Sequence, residues 1–311
     1  MPTHRPSAGL PSWNDGSTRR AILDFLDAAD ALPVVQRVAV FDNDGTLWCE
    51  KPNYIQLLFL LDELHRAVEA DPALADRDEY RALLDGDTAK QAEIGLPAIA
   101  HALVELCAGI EPTEFDRRVR TFFDTARHPD RHVPYIDMRY LPMLELIDEL
   151  RAHDFSVFIV TGGGTEFVRV VGQEFYGVDP ERIVGSLLSY EVRRDERARP
   201  VLVRTTELFG QIDEGEAKVA NLQMGLGRRP ILAAGNTAGD ADMLDYALTG
   251  EGPSLALLVD HDDDEREYAY IGEAASFESK GSLIGTGAAK GWTIISMRND
   301  WAEVFDTPRA G

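Results

Sequence analysis

The chain of 311 residues is short of positive charge. It has 31 lysine and arginine residues against 54 aspartate and glutamate residues, which gives a formal net charge of -23. A surface this acidic repels phosphate backbones, so nucleic-acid binding is disfavoured as a primary role. The same charge also repels a phosphorylated small molecule. A chain of this composition that handles phosphate therefore needs a local cation, either a metal ion or a lysine, at its site.

Cysteines and long apolar runs are scarce as well. Cys49 and Cys107 are the two cysteines of the sequence, so no disulfide framework is implied and a reducing cytosol is favoured. Residues 1–20 contain no apolar core of a signal peptide, and no apolar run approaches the ~20 residues that a membrane helix needs. We expect a cytoplasmic protein without a membrane partner; nothing in the sequence indicates an oligomeric state.

What the sequence does contain is an alternation of two patterns. Short apolar runs bounded by charge, proline or glycine predict buried parallel strands, and helical patterns lie between several of them. This alternation predicts a Rossmann-like open parallel α/β sheet with helices on both faces. The predicted strands are Val38–Phe41, Ser156–Val160, Ile231–Ala234 and Leu255–Val259, and the helices include Pro142–Ala152, Thr165–Phe175 and Glu214–Leu226.

The interval 51–134 differs from the rest of the chain. It contains helical patterns and no convincing strand, which predicts an all-helical cap inserted into an α/β core formed by residues 1–50 and 135–311. Within that core, residues 183–208 have alternating and β-branched residues around a polar turn, so we predict a β-hairpin there.

A pair of aspartates directly follows the first predicted strand. The strand runs into Asp42-Asn43-Asp44-Gly45-Thr46, and in open α/β sheets ligands bind outside the carboxyl ends of the strands. Two carboxylates that are two residues apart in a turn can project to the same side, one as a nucleophile and the other as a proton donor. The alternative is a calcium-type loop or a plain turn.

The segment from Val38 to Leu47, four apolar residues followed by D-x-D-G-T, resembles the first motif of the haloacid-dehalogenase-like superfamily. The second and third motifs of that family have similar counterparts in the same order. Thr161 ends the second strand and Gly162 follows it, and Lys218 lies between the hairpin and the third strand. Asp213 and Glu216 are spaced like a capping box that opens the helix of Lys218.

The segment Gly235 to Leu244 resembles the fourth motif of the family, which is usually G-D-x-x-x-D. Asn236 replaces the first aspartate of that motif, and Asp240 stands at the second. Mg²⁺ takes oxygen ligands and keeps several waters around one or two carboxylates. Because an asparagine still supplies a carbonyl oxygen but removes one charge, we expect both residues to contribute, with Asp240 favoured. The acidic run from Asp260 to Glu265 is interpreted as a solvated loop, and its position at a strand end also permits a role at the rim of the site.

The resemblance implies a Mg²⁺-dependent phosphomonoester hydrolase, a phosphatase that acts on a small phosphorylated metabolite. Asp42 would form an aspartyl-phosphate, and Asp44 would protonate the leaving alcohol and then activate water. Thr161, Gly162 and Lys218 would hold the phosphoryl group.

The same resemblance implies a metal site and a branch of the family. The Asp42 side chain, the backbone carbonyl of Asp44, Asn236 and Asp240 would hold Mg²⁺. The helical cap after the first motif resembles the phosphoserine-phosphatase-like branch, in which a glutamate at the cap entrance reads the amino group of the substrate. Glu50 is near that place, which makes it a candidate substrate residue, although Lys51-Pro52 follows at once.

Two alternatives remain open at this stage. A phosphotransferase with the same fold would pass the aspartyl-phosphate to another alcohol instead of water. A non-catalytic binding or regulatory protein would have lost its metal site at Asn236. Retention of Asp42, Asp44, Thr161 and Lys218 disfavours the second alternative, and Asp44 disfavours a carbon–halogen hydrolase, which does not need a second aspartate.

Overall fold

A computed structural model describes residues 9–272 and 282–306. The elements of these two stretches are named in chain order. The helices are α1 (Ser17–Ala29), α2 (Ile55–Ala70), α3 (Asp78–Leu84), α4 (Thr88–Ile94), α5 (Leu96–Glu105), α6 (Pro112–Thr125), α7 (Leu141–Ala152), α8 (Thr165–Tyr176), α9 (Glu216–Leu226), α10 (Ala241–Leu248), α11 (Leu283–Lys290) and α12 (Met297–Asp300). The strands are β1 (Val38–Phe41), β2 (Ser156–Gly164), β3 (Ile183–Arg194), β4 (Pro200–Phe209), β5 (Leu232–Gly235), β6 (Leu255–Asp260) and β7 (Thr293–Ser296).

Six strands form a parallel sheet in the order β3-β2-β1-β5-β6-β7. All four residues of β1 are buried, and so are all four of β5. Central strands of a parallel sheet are covered on both faces, which is why these strands read as continuous apolar runs rather than alternating ones. The predicted Rossmann-like α/β fold is confirmed.

The position of the central strands determines where a site can form. β1 lies between β2 and β5, and all three run in the same direction. Their carboxyl ends therefore lie side by side, and the polar segments that follow Phe41, Val160 and Gly235 meet at one edge of the sheet.

The described residues group into two compact units. The first comprises residues within 1–51, 127–186 and 211–311, and the second comprises 52–126 and 187–210. β3 contributes to both: Ile183 to Ser186 pair with β2, and the strand from Leu187 onward pairs antiparallel with β4. The sequence predicts 187–210 in the core and 127–134 in the cap. The predicted domain boundaries therefore differ from those of the two compact units at these two segments.

Contacts inside the second unit explain why the hairpin belongs to it. The guanidinium of Arg204, on β4, lies 3.7 Å from the centre of the Phe115 ring on α6. The same side chain donates to the Cys107 carbonyl at 3.2 Å, and only 6% of Arg204 is exposed. A buried arginine with these partners ties the hairpin to the helices, and a local pattern of alternating residues carries no information about such a contact.

Four local predictions need correction. The helix α4 was not predicted, because its sequence is short and polar; its N-cap Asp87 accepts a bond from the Lys90 N–H at 2.9 Å. The predicted capping box at Asp213 and Glu216 is wrong, since the N-cap of α9 is Gly215 without a side-chain cap. β2 extends to Gly164 rather than ending at residue 160. A serine ahead of an apolar helical stripe predicts that Ser17 caps the first helix, but Ser17 is the first residue of α1 and Gly16 is its N-cap.

The described helices include no candidate for a membrane segment. None of those in 9–272 and 282–306 combines the length and the apolar composition that crossing a bilayer requires.

Candidate active site

The loop after β1 is a tight turn packed against the loop after β5. The Asp42 N–H donates to the Ala234 carbonyl at 2.8 Å, which continues the pairing of the two strands by one residue. Gly45 has a φ of +72°, and a Cβ at that position would lie 1.9 Å from the Asn236 amide nitrogen. Glycine is required there for both reasons, because other residues disfavour a positive φ and any side chain would collide with Asn236.

Lys218 is the cation of the site. Its ammonium group lies 2.6 Å from Asp42 Oδ1, 2.6 Å from Asp240 Oδ1 and 3.1 Å from the Val160 carbonyl oxygen. Three acceptors match the three donors of an ammonium group. The side chain therefore joins the ends of β1, β2 and β5 through one buried hydrogen-bonded centre.

Burial and charge act on Lys218 in opposite directions. Burial by itself would lower the pKa of this lysine, but the carboxylates of Asp240 and Asp42 outweigh it and raise the pKa above the ordinary lysine value. The ammonium form is the one that all three partners stabilise. Lys218 is 2% exposed, so this charge is carried in the interior and not by a solvated surface lysine.

Asp240 organises the loop that follows β5. Its Oδ1 accepts from Lys218, and its Oδ2 accepts from the Asn236 N–H at 3.0 Å, the Thr237 N–H at 2.9 Å and the Thr237 hydroxyl at 3.2 Å. Each oxygen of Asp240 accepts from at least one protein donor. These contacts make Asp240 the residue that shapes the loop and fixes Lys218, and its predicted part in metal binding stays a prediction.

Asn236 presents its two amide atoms to two different neighbours. Its Oδ1 lies 3.3 Å from the Thr46 hydroxyl, which in turn lies 3.4 Å from Asp42 Oδ2. Its Nδ2 donates to Glu50 Oε1 at 3.4 Å. One hydroxyl hydrogen cannot satisfy two acceptors fully, so Asp42 Oδ2 and Asn236 Oδ1 are left as two neighbouring oxygens with capacity for a further positive partner.

Asp44 lies on the same turn as Asp42 and is held by neutral donors. The Trp48 indole N–H donates to its Oδ1 at 2.8 Å, and the Asn43 amide donates to its Oδ2 at 3.3 Å. Burial raises the pKa of Asp44 despite these two bonds. A carboxyl group whose pKa is raised in this way is suited to donate a proton near neutral pH.

Thr161 is fully buried within β2, one residue after the carbonyl that Lys218 contacts. Its hydroxyl oxygen accepts from the Gly163 N–H at 3.0 Å, so one backbone donor of the expected phosphate-binding turn is engaged by Thr161 itself. Gly162 has little space around it, because a Cβ there would lie 2.8 Å from Glu214 Oε1. The Thr161 hydroxyl keeps its own hydrogen as a donor.

Glu50 is 2% exposed and lies against Asn236. Burial and then the charge of Asp44 raise its pKa to about 7. The sequence made it a candidate for reading the substrate, but the structure gives its carboxylate a partner inside the protein and leaves almost no surface. The substrate contact that the sequence predicts for Glu50 stays a prediction.

The loop after β6 contains buried residues that pack against the site. The expectation of a solvated acidic loop is wrong for His261 and Asp263, which are buried, and Glu267, just beyond that run, is buried as well. The His261 Nε2–H donates to the Gly45 carbonyl at 2.8 Å, and its Nδ1 lies 3.2 Å from Glu267 Oε2. The signal that could have indicated His261 is its place at the carboxyl end of a central strand.

Glu267 holds this loop in place through hydrogen bonds to residues of other segments. Its Oε1 accepts from the Tyr140 hydroxyl at 2.9 Å and from the Cys49 thiol at 3.0 Å. Burial by itself would raise the pKa of Glu267, but the bonds from His261 and Cys49 are among those that lower it. Cys49 is a buried donor to a carboxylate with a raised pKa, as expected for a packing residue rather than a nucleophile.

The oxygen donors of the site decide whether it can hold a metal ion. Within the described stretches 9–272 and 282–306, no group of three or more His, Cys, Asp or Glu side chains is arranged to hold one. Asparagine side chains and backbone carbonyls are further oxygen donors. Asp42 Oδ2 and Asn236 Oδ1 face the same hydroxyl, and carboxylate, amide and carbonyl oxygens are the donors that a hard divalent cation takes. The residues present fit such an ion.

Comparison with known proteins gives one family and several similar folds. The family model for haloacid dehalogenase-like hydrolases matches residues 39–245. Curated proteins yield no match.

Among solved structures, a protein of unknown function from Bordetella pertussis has a TM-score of 0.52 and 17% identity, over 84% of this chain and 99% of that one. A functionally unknown protein from Anaerococcus prevotii has a TM-score of 0.51 and 14% identity, over 83% and 89%. A probable phosphoserine phosphatase from Vibrio cholerae has a TM-score of 0.40 and 15% identity, over 89% and 73%. At these identities the first two indicate the fold alone.

Proposed function

The chain belongs to the haloacid dehalogenase-like hydrolases, and from that premise we propose that it is a Mg²⁺-dependent phosphomonoester hydrolase acting on a small phosphorylated metabolite. Asp42 is the nucleophile and Asp44 the acid and base of this proposal. Thr161, Gly162 and Lys218 bind the phosphoryl oxygens.

One observation carries the proposal: two buried aspartates on one turn have different partners. The Lys218 ammonium lies 2.6 Å from Asp42 and lowers the pKa of that carboxyl, although burial and then the charge of Asp240 outweigh it and raise the pKa overall; a further cation at the site would favour the ionised, nucleophilic form. Asp44 receives only neutral donors, and burial raises its pKa. A nucleophile beside an acid is what displacement at phosphorus with an alcohol leaving group requires. Cleavage of a carbon–halogen bond needs no proton donor for the leaving group.

In the first half-reaction, an oxygen of Asp42 attacks phosphorus in line with the leaving oxygen. The bond from phosphorus to that oxygen breaks, and Asp44 gives its proton to the leaving alcohol. Lys218 and the Thr161 hydroxyl donate to the oxygens on which negative charge is held, so most of the catalysis is positioning and charge neutralisation.

In the second half-reaction, the Asp44 carboxylate takes a proton from water. The water oxygen attacks phosphorus, and the bond from phosphorus to the Asp42 oxygen breaks. Inorganic phosphate leaves, and both aspartates return to their starting states. Lys218 stays bound to Asp240 throughout, which keeps its ammonium group in place when Asp42 carries the phosphoryl group.

Mg²⁺ would be held by Asp42, the backbone carbonyl of Asp44 and Asn236. When bound, it supplies positive charge that neutralises the phosphoryl oxygens. The charges of the chain support this assignment. Asp42, Asp44 and Asp240 bring three potential negative charges and Lys218 a single positive one, so the site retains an excess of negative charge that a divalent cation offsets.

The experiment that tests the proposal is hydrolysis of p-nitrophenyl phosphate by the full chain. We expect turnover with Mg²⁺ or Mn²⁺, loss of turnover when EDTA is added, and recovery when Mg²⁺ is restored in excess. Absence of activity with both metals between about pH 5 and 9 contradicts the proposal and favours a non-catalytic role.

Replacing Asp44 by asparagine tests the acid role through the leaving group. Asp44→Asn is expected to lower kcat for an alkyl phosphate by roughly 10²–10⁴-fold, because a poor leaving group depends on protonation. The loss should be smaller for p-nitrophenyl phosphate, whose phenolate leaves without a proton. Equal losses for the two substrates, measured under the same conditions, contradict the assignment of Asp44 as proton donor.

A further inference from the structure

We propose that Glu50 is a positioning residue of the metal site and carries the carboxylate charge that Asn236 lacks. This inference rests on the metal assignment in the proposed function. It concerns a residue outside the D-x-D-G-T turn and outside the loop after β5, and it gives the buried glutamate a role other than contact with substrate.

The first step is the orientation of the Asn236 amide. Its Nδ2 donates to Glu50 Oε1 at 3.4 Å, and its Oδ1 lies 3.3 Å from the Thr46 hydroxyl. A carboxylate only accepts hydrogen bonds, so it selects the amide nitrogen as its neighbour and turns the carbonyl oxygen away. Glu50 thereby determines that an oxygen, and not an NH₂ group, faces Asp42.

The second step is the incomplete compensation of the Glu50 charge. Glu50 is 2% exposed and Asn236 is 1% exposed, and none of the ion pairs among the described residues includes Glu50. Lys218 is already bound to Asp42 and Asp240. The charges of Lys51 and His261 lower the pKa of Glu50, but burial and the charge of Asp44 outweigh them, and a buried carboxylate whose charge is not fully compensated is costly. A cation held by Asn236 and Asp42 would supply further positive charge close to Glu50. Only the Asn236 amide group would separate the cation from the Glu50 carboxylate.

The third step is the fit of Gly45 between these residues. A Cβ at Gly45 would lie 2.8 Å from the Asn236 amide carbon and 3.0 Å from the Glu50 carboxyl carbon. The turn that bears Asp42 and Asp44 therefore packs on both residues at once. Glu50 and Asn236 both pack against this turn. The neutral carbonyl oxygen of Asn236 faces the Asp42 side, and the Glu50 carboxylate contacts the amide nitrogen on the other side of the Asn236 side chain.

A charge-relocation experiment tests this arrangement. Glu50→Gln removes the charge, Asn236→Asp adds one, and the double variant moves the carboxylate from position 50 to position 236. Mg²⁺ binding to the full-length variants is measured by isothermal titration calorimetry, which does not depend on turnover. We expect Glu50→Gln to weaken Mg²⁺ binding about tenfold or more, the usual range for a residue that supports a metal ligand. The double variant should return to within about threefold of the original affinity.

A metal-free measurement accompanies the titration. In EDTA, Asn236→Asp is expected to lower the melting temperature, because it places two carboxylates in contact, and the double variant should recover it. Glu145→Gln is the matched control: Glu145 is a partly buried glutamate on α7 that accepts from the N–H and the hydroxyl of Ser12, and its replacement should leave the Mg²⁺ affinity unchanged.

Each contrary outcome has a distinct meaning. Unchanged Mg²⁺ affinity in Glu50→Gln, or a double variant that binds no better than Glu50→Gln, overturns the inference while the proposed function stands. Equal melting temperatures of Asn236→Asp and the double variant in EDTA also overturn it. Absence of Mg²⁺ binding by the unaltered chain overturns the metal assignment of the proposed function, and this inference with it.

Discussion

Replacement of Asp42 by asparagine is expected to lower kcat for p-nitrophenyl phosphate by at least ~10⁴-fold, because no other group in the described site takes the place of a nucleophile. Asparagine keeps the size of the side chain but is a poor nucleophile and loses the charge that Lys218 contacts at 2.6 Å. Steady-state kinetics in Mg²⁺ measures the loss.

The variant must remain folded for this result to be informative. Lys218 keeps its bond to Asp240, so its buried ammonium group still has a charged partner. Circular dichroism with thermal unfolding checks that the variant is folded. Asp24→Asn, at an exposed position on α1, is the control and should retain full activity. A kcat within about tenfold of the original in folded Asp42→Asn contradicts the role given to Asp42.

Replacement of Lys218 by methionine is expected to have the largest effect on stability. It removes the ammonium group between Asp42 and Asp240, both of which are buried. Breaking a buried ion pair by removing one partner costs about 3–5 kcal/mol, because the remaining charge is left uncompensated. Urea unfolding measures the difference, and activity should be lost with it, since Lys218 also binds the phosphoryl oxygens in the proposed mechanism.

A double variant separates the charge effect from simple loss of packing. Adding Asp240→Asn to Lys218→Met removes one of the two uncompensated carboxylates, so part of the lost stability should return while activity stays absent. Lys90→Met, at a partly exposed lysine of α4, should change stability by less than ~0.5 kcal/mol. If Lys218→Met unfolds at the same urea concentration as the original chain, the ammonium group does not hold the strand ends together.

The central sheet could be predicted from the sequence because its signal is local. Strands buried on both faces, such as β1, appear as apolar runs, and the polar turn that follows Phe41 is visible in the same few residues. The second unit could be predicted less well. Its hairpin is fixed by Arg204 against Phe115, a contact between residues far apart in the chain, which no local pattern records.

The site likewise combines features that local sequence patterns predict with contacts that they do not record. The motifs predicted that Asp42, Lys218 and Asp240 belong to one site, because each motif follows or precedes a predicted strand and the motifs occur in the order of the family. They did not indicate that both oxygens of Asp240 would accept from protein donors. That outcome depends on the fold of the loop after β5, and the spacing of its aspartates does not reveal it.

The partners of two further residues of the site could not be predicted from the sequence. Glu50 follows the first motif closely, yet only the structure gives it Asn236 as a partner. His261 lies in a run of acidic residues that are usually solvated, and its burial depends on the Gly45 carbonyl and on Glu267. In both cases the partner that determines the role lies on another element.

The most direct test of the central claim is to identify the residue that carries the phosphoryl group during turnover. The full chain is mixed with Mg²⁺ and an excess of p-nitrophenyl phosphate, quenched in acid within milliseconds to seconds, and digested for peptide mass spectrometry. The account predicts an acid-stable, base-labile phosphoryl adduct on Asp42 that disappears on a chase without substrate. An adduct on another residue, or hydrolysis that proceeds with no adduct in any quenched sample, would contradict it.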